Sequence, residues 1–157
     1  MAPERVATAA GAAAGERDTL SDRIELRGLR FLGAHGALPE EAVRAQPFEV
    51  DLDLLCDLSV AGRSDELSDS VDYAELCEAV REVIEGPHVS LVERLAEQVA
   101  ERALALSGPA ASGVVVVVRK LRPPVPVQLV SAGVRVFREA RRPRTRSSGG
   151  ASSGHEG

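Results

Sequence analysis

The chain has 157 residues, a formal charge of −5 and 3% aromatic residues, with no tryptophan. That length fits one domain with enough core to fold without staples. The acidic balance and scarce aromatics exclude a basic, ring-studded face for nucleic acid. Cys56 and Cys77 lack metal-ligand spacing and fall in apolar patterns, which predicts buried free thiols in a reducing compartment. Near the start there is alanine but no strongly apolar run, and Glu4 and Glu16 interrupt it. Neither a signal peptide nor a membrane span is expected, so the expected location is cytoplasmic, with no membrane partner.

Residues 1–21 are rich in alanine and glycine and poor in large apolar side chains, cannot offset their ordering entropy by burial, and are expected to be disordered. The first strand is predicted at 22–31. Ile24, Leu26 and Gly28 alternate with Arg23, Glu25 and Arg27, and then Leu29 and Phe31 continue in the opposite phase, which predicts a bulge near Gly28. A second strand is predicted at 47–57, with Phe48, Val50, Leu52, Leu54 and Cys56 on one face and Glu49, Asp51 and Asp53 on the other. Between them, 32–46 reads as a long loop holding Gly33, His35, Gly36, Glu40 and Glu41, and loops of that length are usually functional or mobile.

After a polar stretch at 63–70, a helix is predicted from about Asp72, with Tyr73, Leu76, Cys77, Val80 and Ile84 at helical spacing and Gly86-Pro87 as its stop. Ser90 is expected to begin a second helix lined by Leu91, Leu95, Val99, Ala103 and Leu106. Residues 113–118 are glycine followed by five valines, a strand pattern because branched side chains suit a pleated surface. Unbroken valine predicts cover on both faces. Arg119 and Lys120 follow, and then Pro123, Pro124 and Pro126, which cannot donate to a ladder. Lys120 either blunts the strand end or is held there, rigidly, against a ligand. A fourth strand is predicted at 130–137, and 141–157 reads as a second loose tail, leaving 22–140 as the folded domain.

The order strand, strand, helix, helix, strand, strand argues against a ferredoxin-like arrangement. It fits an α+β fold: a four-stranded antiparallel sheet with two helices on one face. The valine strand then needs cover on its other face, most simply a second subunit.

Four pieces in chain order carry a family resemblance. The first runs from Asp22 through Gly33-Ala-His35-Gly36, with Glu41 six residues past His35, to Gln46-Pro-Phe-Glu-Val-Asp-Leu52. The others are Asp69-Ser-Val-Asp-Tyr73, Leu91-Val-Glu-Arg-Leu-Ala-Glu97 and Lys120-Leu-Arg-Pro-Pro-Val-Pro126. Together they resemble dihydroneopterin aldolase of folate biosynthesis, over about 22–142. The resemblance implies the tunnelling fold, in which sheets of neighbouring subunits join into a barrel. It implies a homo-oligomer, tetramer or octamer, with active sites shared between subunits. It also implies a pterin substrate, 7,8-dihydroneopterin, cleaved by a retro-aldol reaction to 6-hydroxymethyl-7,8-dihydropterin and glycolaldehyde. The substrate's own C6=N5 imine accepts the electrons, so no cofactor, Schiff base or metal is required. The scattered His35, His88 and His155 agree, forming no ligand set.

The same resemblance assigns roles. Lys120 matches the acid/base lysine, Glu41 the carboxylate that positions it, and Tyr73 a ring and hydroxyl across the pterin. Glu93 and the main chain of Val92 match the pterin anchor, and Val71 and Asp72 match main-chain contacts from the neighbouring subunit. The residues themselves allow other readings. Ser90-Leu-Val-Glu93 is also a capping box, a tyrosine at this helical spacing is usually core, and loop glutamates are usually solvated. His35 shapes the loop or takes part in catalysis. The chain reads Lys120-Leu121-Arg122 where many relatives read Lys-Pro, and Arg122 is an extra charge. The competing functions are a 2′-epimerase of the same fold acting on dihydroneopterin triphosphate, with epimerisation also a side activity of some aldolases, and a non-catalytic pterin-binding ring.

Overall fold

The computed structural model describes residues 22–142, so the expected loose tails, apart from Arg141 and Arg142, lie outside the described residues. Four antiparallel strands lie in the order β1 (Arg23–Gly33), β2 (Gln46–Cys56), β3 (Ala111–Lys120) and β4 (Ala132–Glu139). The helices are α1 (Pro39–Val43), α2 (Ser59–Ser64), α3 (Tyr73–Ile84) and α4 (Val92–Ser107). The expected sheet and helix pair are present. The register of β1 on β2 slips between Leu26 and Leu29, and Gly28 has φ +68°, a backbone state open to glycine at no side-chain cost, so the bulge falls where the phase of the sequence changes.

The core lies between one face of the sheet and the two long helices. Phe48, Val50, Leu52 and Leu54 of β2 and Val114, Val116 and Val118 of β3 meet Leu76, Val80 and Ile84 of α3 and Leu95 and Val99 of α4. Full burial of a Leu or Ile side chain contributes about 1.5–3 kcal/mol. Ala96, Ala100 and Ala103 are also buried, and their small side chains let α4 lie close over β3 and β4 while α3 covers β1.

Several expectations need correction. The loop at 32–46 contains α1, which starts on Pro39 with Glu40 and Glu41 in its first turn, residues that favour a helix N-terminus. A single turn is too short to show apolar periodicity. The polar stretch likewise begins in the last turn of α2 and contains a 3₁₀ turn at Leu67–Asp69. The second long helix begins at Val92 rather than Ser90. Leu91 is its N-cap, and no side chain caps it, so the Ser90–Glu93 capping box does not form. Leu91 and Leu106 are exposed rather than in the buried row. Cys56 is buried as expected, but Cys77 is only partly so, and both are free thiols.

The valine strand differs most from its reading. Val115 is 2% exposed, yet the helix-free face around it is not an apolar surface awaiting cover. In register, Val115 lies between Asp53 and Phe137. Asp53 pairs with Arg23 and Arg27, Arg119 bridges Asp51 at 2.8 Å and Glu49 at 3.3 Å, and Arg30 reaches Glu49 at 3.0 Å. The Gly28 N–H also donates to Asp51 at 2.8 Å. Burial opposes ionisation of Asp51, but Gly28 and Arg119 prevail and hold its carboxyl below its ordinary value. An ion-pair lattice built by the chain itself therefore runs across this face beside Val115.

Candidate active site

At one end of the sheet, the last residue of β3 meets the loop between β1 and β2. Lys120 pairs in register with Phe48, and the ladder runs one step further through Leu121 N–H to Pro47 C=O at 3.1 Å. The prolines follow immediately, so the lysine stem leaves the strand from a fixed backbone. Its Nζ donates to Glu41 Oε1 at 2.7 Å, with 13% of the lysine side chain and 7% of the glutamate side chain exposed. Glu40 beside it is exposed, so burial separates the two adjacent glutamates.

Three donors surround the Glu41 carboxylate. Oε1 accepts from Lys120 and from Gln46 Nε2 at 3.0 Å, and Oε2 accepts the Leu38 N–H at 3.1 Å. Burial opposes its ionisation, but these donors outweigh it and hold the carboxyl below its ordinary value. Glu41 is thus a carboxylate at neutral pH.

His35 ties this corner to the helices. It is 1% exposed, its Nε2 lies 2.7 Å from the Ile84 carbonyl, and Nδ1 accepts the Val89 N–H at 3.1 Å. Those partners fix the neutral tautomer with the proton on Nε2. Burial, with His88 and Lys120 nearby, pushes its pKa down against the pull of the Ile84 carbonyl. Its ring is committed to main chain on both sides, which makes it a clamp. The Gly36 N–H donates to the Val89 carbonyl at 3.0 Å, completing the tie to the segment that leads into α4.

Glu93 and Val92 therefore sit at the same end of the molecule as Lys120. Among the described residues, the Glu93 side chain makes no hydrogen bond or ion pair, and no acceptor takes the N–H of Val92 or Glu93. A carboxylate beside open helix N–H groups can bind an edge that presents both donors and an acceptor.

Tyr73, Val71 and Asp72 are elsewhere. Tyr73 is the first residue of α3, whose last residue, Ile84, touches His35, so about 16 Å of helix separates them. Of the two readings of Tyr73, the buried helical row does not hold: as the first residue of α3 it is 64% exposed. The Asp72 side chain caps α3 through the Ala74 N–H at 2.8 Å, while the main chain of Val71 makes no hydrogen bond among the described residues. The seven residues singled out in the sequence thus fall into two groups: Lys120, Glu41, Val92 and Glu93 at one end, and Val71, Asp72 and Tyr73 at the other.

Sequence reasoning passed over Gln46 and Gly36. Both lie in the motif that contains His35 and Glu41, but neither residue type announces chemistry. Arg122 is exposed and contacts no charged partner among the described residues. Among those residues, no group of three or more His, Cys, Asp or Glu could hold a metal ion, and no helix is long and apolar enough to cross a membrane.

A family model described as dihydroneopterin aldolase matches residues 24–137. Over 83 residues, 53% of this chain and 99% of the relative, the sequence is 47% identical to a dihydroneopterin aldolase of Staphylococcus haemolyticus. Among solved structures, that of the Escherichia coli dihydroneopterin aldolase in complex with neopterin is similar, with a TM-score of 0.68 and 29% identity over 74% of this chain and 98% of that one. A dihydroneopterin aldolase of Burkholderia thailendensis bound to guanine has a TM-score of 0.62 and 26% identity, covering 78% of this chain and 94% of that one.

Proposed function

Since the chain belongs to the dihydroneopterin aldolase family, lyases of folate biosynthesis that cleave 7,8-dihydroneopterin by a retro-aldol reaction, we propose how its residues divide that work. Glu93 and the main chain of Val92 hold the pterin by its 2-amino and N3–H edge. The neopterin and guanine complexes of the two relatives support this, since both ligands carry that edge. Lys120 exchanges protons with the substrate side chain and ring, and Glu41 holds the lysine in place.

In this reading a proton leaves the 2′-hydroxyl, the C1′–C2′ bond breaks, and its electron pair runs into the C6=N5 imine. Glycolaldehyde departs and the resulting enamine takes a proton at C1′. An ammonium has three donor directions, and Glu41 uses one, so two remain for the substrate. The observation that carries the reading is the buried Lys120–Glu41 pair at 2.7 Å, at the same end of the molecule as the unpartnered Glu93.

Tyr73, Val71 and Asp72 act on the pterin from a second copy of the chain. The helix length that separates Tyr73 from the Lys120 corner supports this, as do β1 and β4, which are sheet edges in the described chain and can pair with neighbours. A ring of tetramer or octamer size, closed into a barrel, meets both needs. A cytoplasmic location belongs to the same reading, as the setting of the folate pathway.

Incubation with dihydroneopterin, with and without chelator, tests the reaction. Glycolaldehyde release in both is expected, and borohydride added during turnover should trap no adduct on Lys120. Inversion at C2′ without release would replace the aldolase by the epimerase. An unchanged pterin would leave only binding.

A further inference from the structure

We propose that Gln46 is a positioning residue for the acid–base pair, its amide and the bare Cα of Gly36 together forming a cradle that fixes the Glu41 carboxylate against Lys120. The inference rests on the reading of Lys120 and Glu41 given above and adds two residues that act through Glu41.

Glu41 stands on α1, a helix of only five residues between two strands. So short a helix cannot hold its own shape, yet a displacement of about 1 Å at a reacting group can cost about 10²-fold in rate. The precision must come from the surroundings. Gln46 is the first residue of β2 and pairs in register with Gly33, so its backbone is fixed by the sheet. Its Nε2 donates to two acceptors, the His35 carbonyl at 3.0 Å and Glu41 Oε1 at 3.0 Å. Because both neighbours are acceptors, the amide has one usable orientation and cannot flip.

Gly36 closes the other side. Its φ is +146°, and a Cβ there would fall on the Glu41 carboxylate, so the backbone approaches closer than any other residue allows. The titratable groups that meet at the cradle are Glu41 from α1 and Lys120 from β3, with His35 joined through its carbonyl. Gln46 adds a donor without adding a charge, and it gives that donor to the same oxygen that receives the lysine. It thereby favours the carboxylate form and sets the direction from which Lys120 approaches.

The test compares Gln46→Leu, Glu41→Gln and the double variant by kcat, KM, the acid limb of the pH–rate profile and affinity for guanine, which has the pterin-like edge but no side chain to cleave. Gln46→Leu is expected to lower kcat about 10- to 100-fold, to move the acid limb to higher pH, and to leave guanine affinity unchanged. In the Glu41→Gln background the same change should cost little more, since it acts through Glu41. If Gln46→Leu fails to fold, Gln46→Glu serves instead. Ionised, it repels Glu41, so its activity should recover on mild acidification where the parent's falls. An unchanged kcat and acid limb, losses that multiply in the double variant, or no recovery in Gln46→Glu would overturn the proposal. If Glu41→Gln and Lys120→Ala both kept full activity, the reading of the pair itself would fall instead.

Discussion

The Lys120–Glu41 corner and the turn that carries Tyr73 are built by opposite rules. In the Lys120–Glu41 corner each side chain is held within the chain: Lys120 on Glu41, Glu41 on Gln46 and Leu38, His35 on Ile84 and Val89. At the Tyr73 end, the one tyrosine projects into solvent, and the main chain of Val71 makes no hydrogen bond among the described residues. The first arrangement is preorganised by folding alone. The second is left for another surface to complete, as expected where a binding site spans two copies.

The largest effect should come from breaking the preorganised end. Lys120→Ala is expected to reduce turnover about 10²- to 10⁴-fold, the range for a lost general acid–base group, with pterin affinity little changed. Lys120→Arg keeps the charge and should fail too, because a guanidinium does not release a proton at neutral pH. Rapid-quench turnover beside pterin titration separates chemistry from binding. An active arginine variant would reduce the lysine to an electrostatic role.

Glu93→Gln should act on binding instead. Its amide NH₂ meets a donor of the pterin, so affinity should fall about 30- to 1,000-fold, through loss of a charge-assisted pair and a donor left unpaired. Because Glu93 caps nothing in the structure, the variant's unfolding free energy should stay within about 0.5 kcal/mol of the parent, leaving the thermal midpoint nearly unchanged. A lower midpoint with intact affinity would restore the capping role.

The smallest effect is on pH stability, and it reports on the clamp. The folded pKa of His35 is lowered, chiefly by burial, so below its unfolded value of about 6.5 the unfolded chain binds a proton that the folded chain refuses. Stability should therefore fall as pH drops through about 6.5. Glu41 and Asp51, whose folded values are depressed, add stability above the ordinary carboxylate range that is lost as pH falls through those folded values. Urea unfolding at several pH values should show the histidine step first, and His35→Gln should remove it. An unchanged slope in that variant would mean that His35 is not the group responsible.

How much of this was legible in the sequence follows from what each feature rests on. Strict alternation in β2 and the helical spacing of Leu76, Val80 and Ile84 report burial directly, so the sheet and its helix layer were readable. Lys120 was readable as a strand-end lysine because the valines stop there and the prolines begin. The choice of Glu41 over Glu40 was not readable from residue type, since two adjacent glutamates look alike until one turns inward. Helical spacing alone could not separate the two readings of Tyr73, because it marks a row of the helix but not which of its residues is buried. The valine strand was legible as covered on both faces, but not in what covers it within one copy. Its second face is covered by Asp53, its arginine partners and Phe137, which come from three other strands and leave no mark in the run itself. Gln46 and Gly36 were silent because their roles lie in what they approach.

The central claim is that one catalytic site takes Lys120 from one copy and Tyr73 from another, and subunit mixing tests it most directly. Lys120→Ala and Tyr73→Ala proteins, each inactive alone, are dissociated together, reassembled at equal concentrations and assayed for glycolaldehyde. Random reassembly should return about a quarter of the wild-type activity per site, the fraction in which an intact Lys120 meets an intact Tyr73 across an interface. Activity no greater than the average of the two parents, or a fully active monomer, would contradict it.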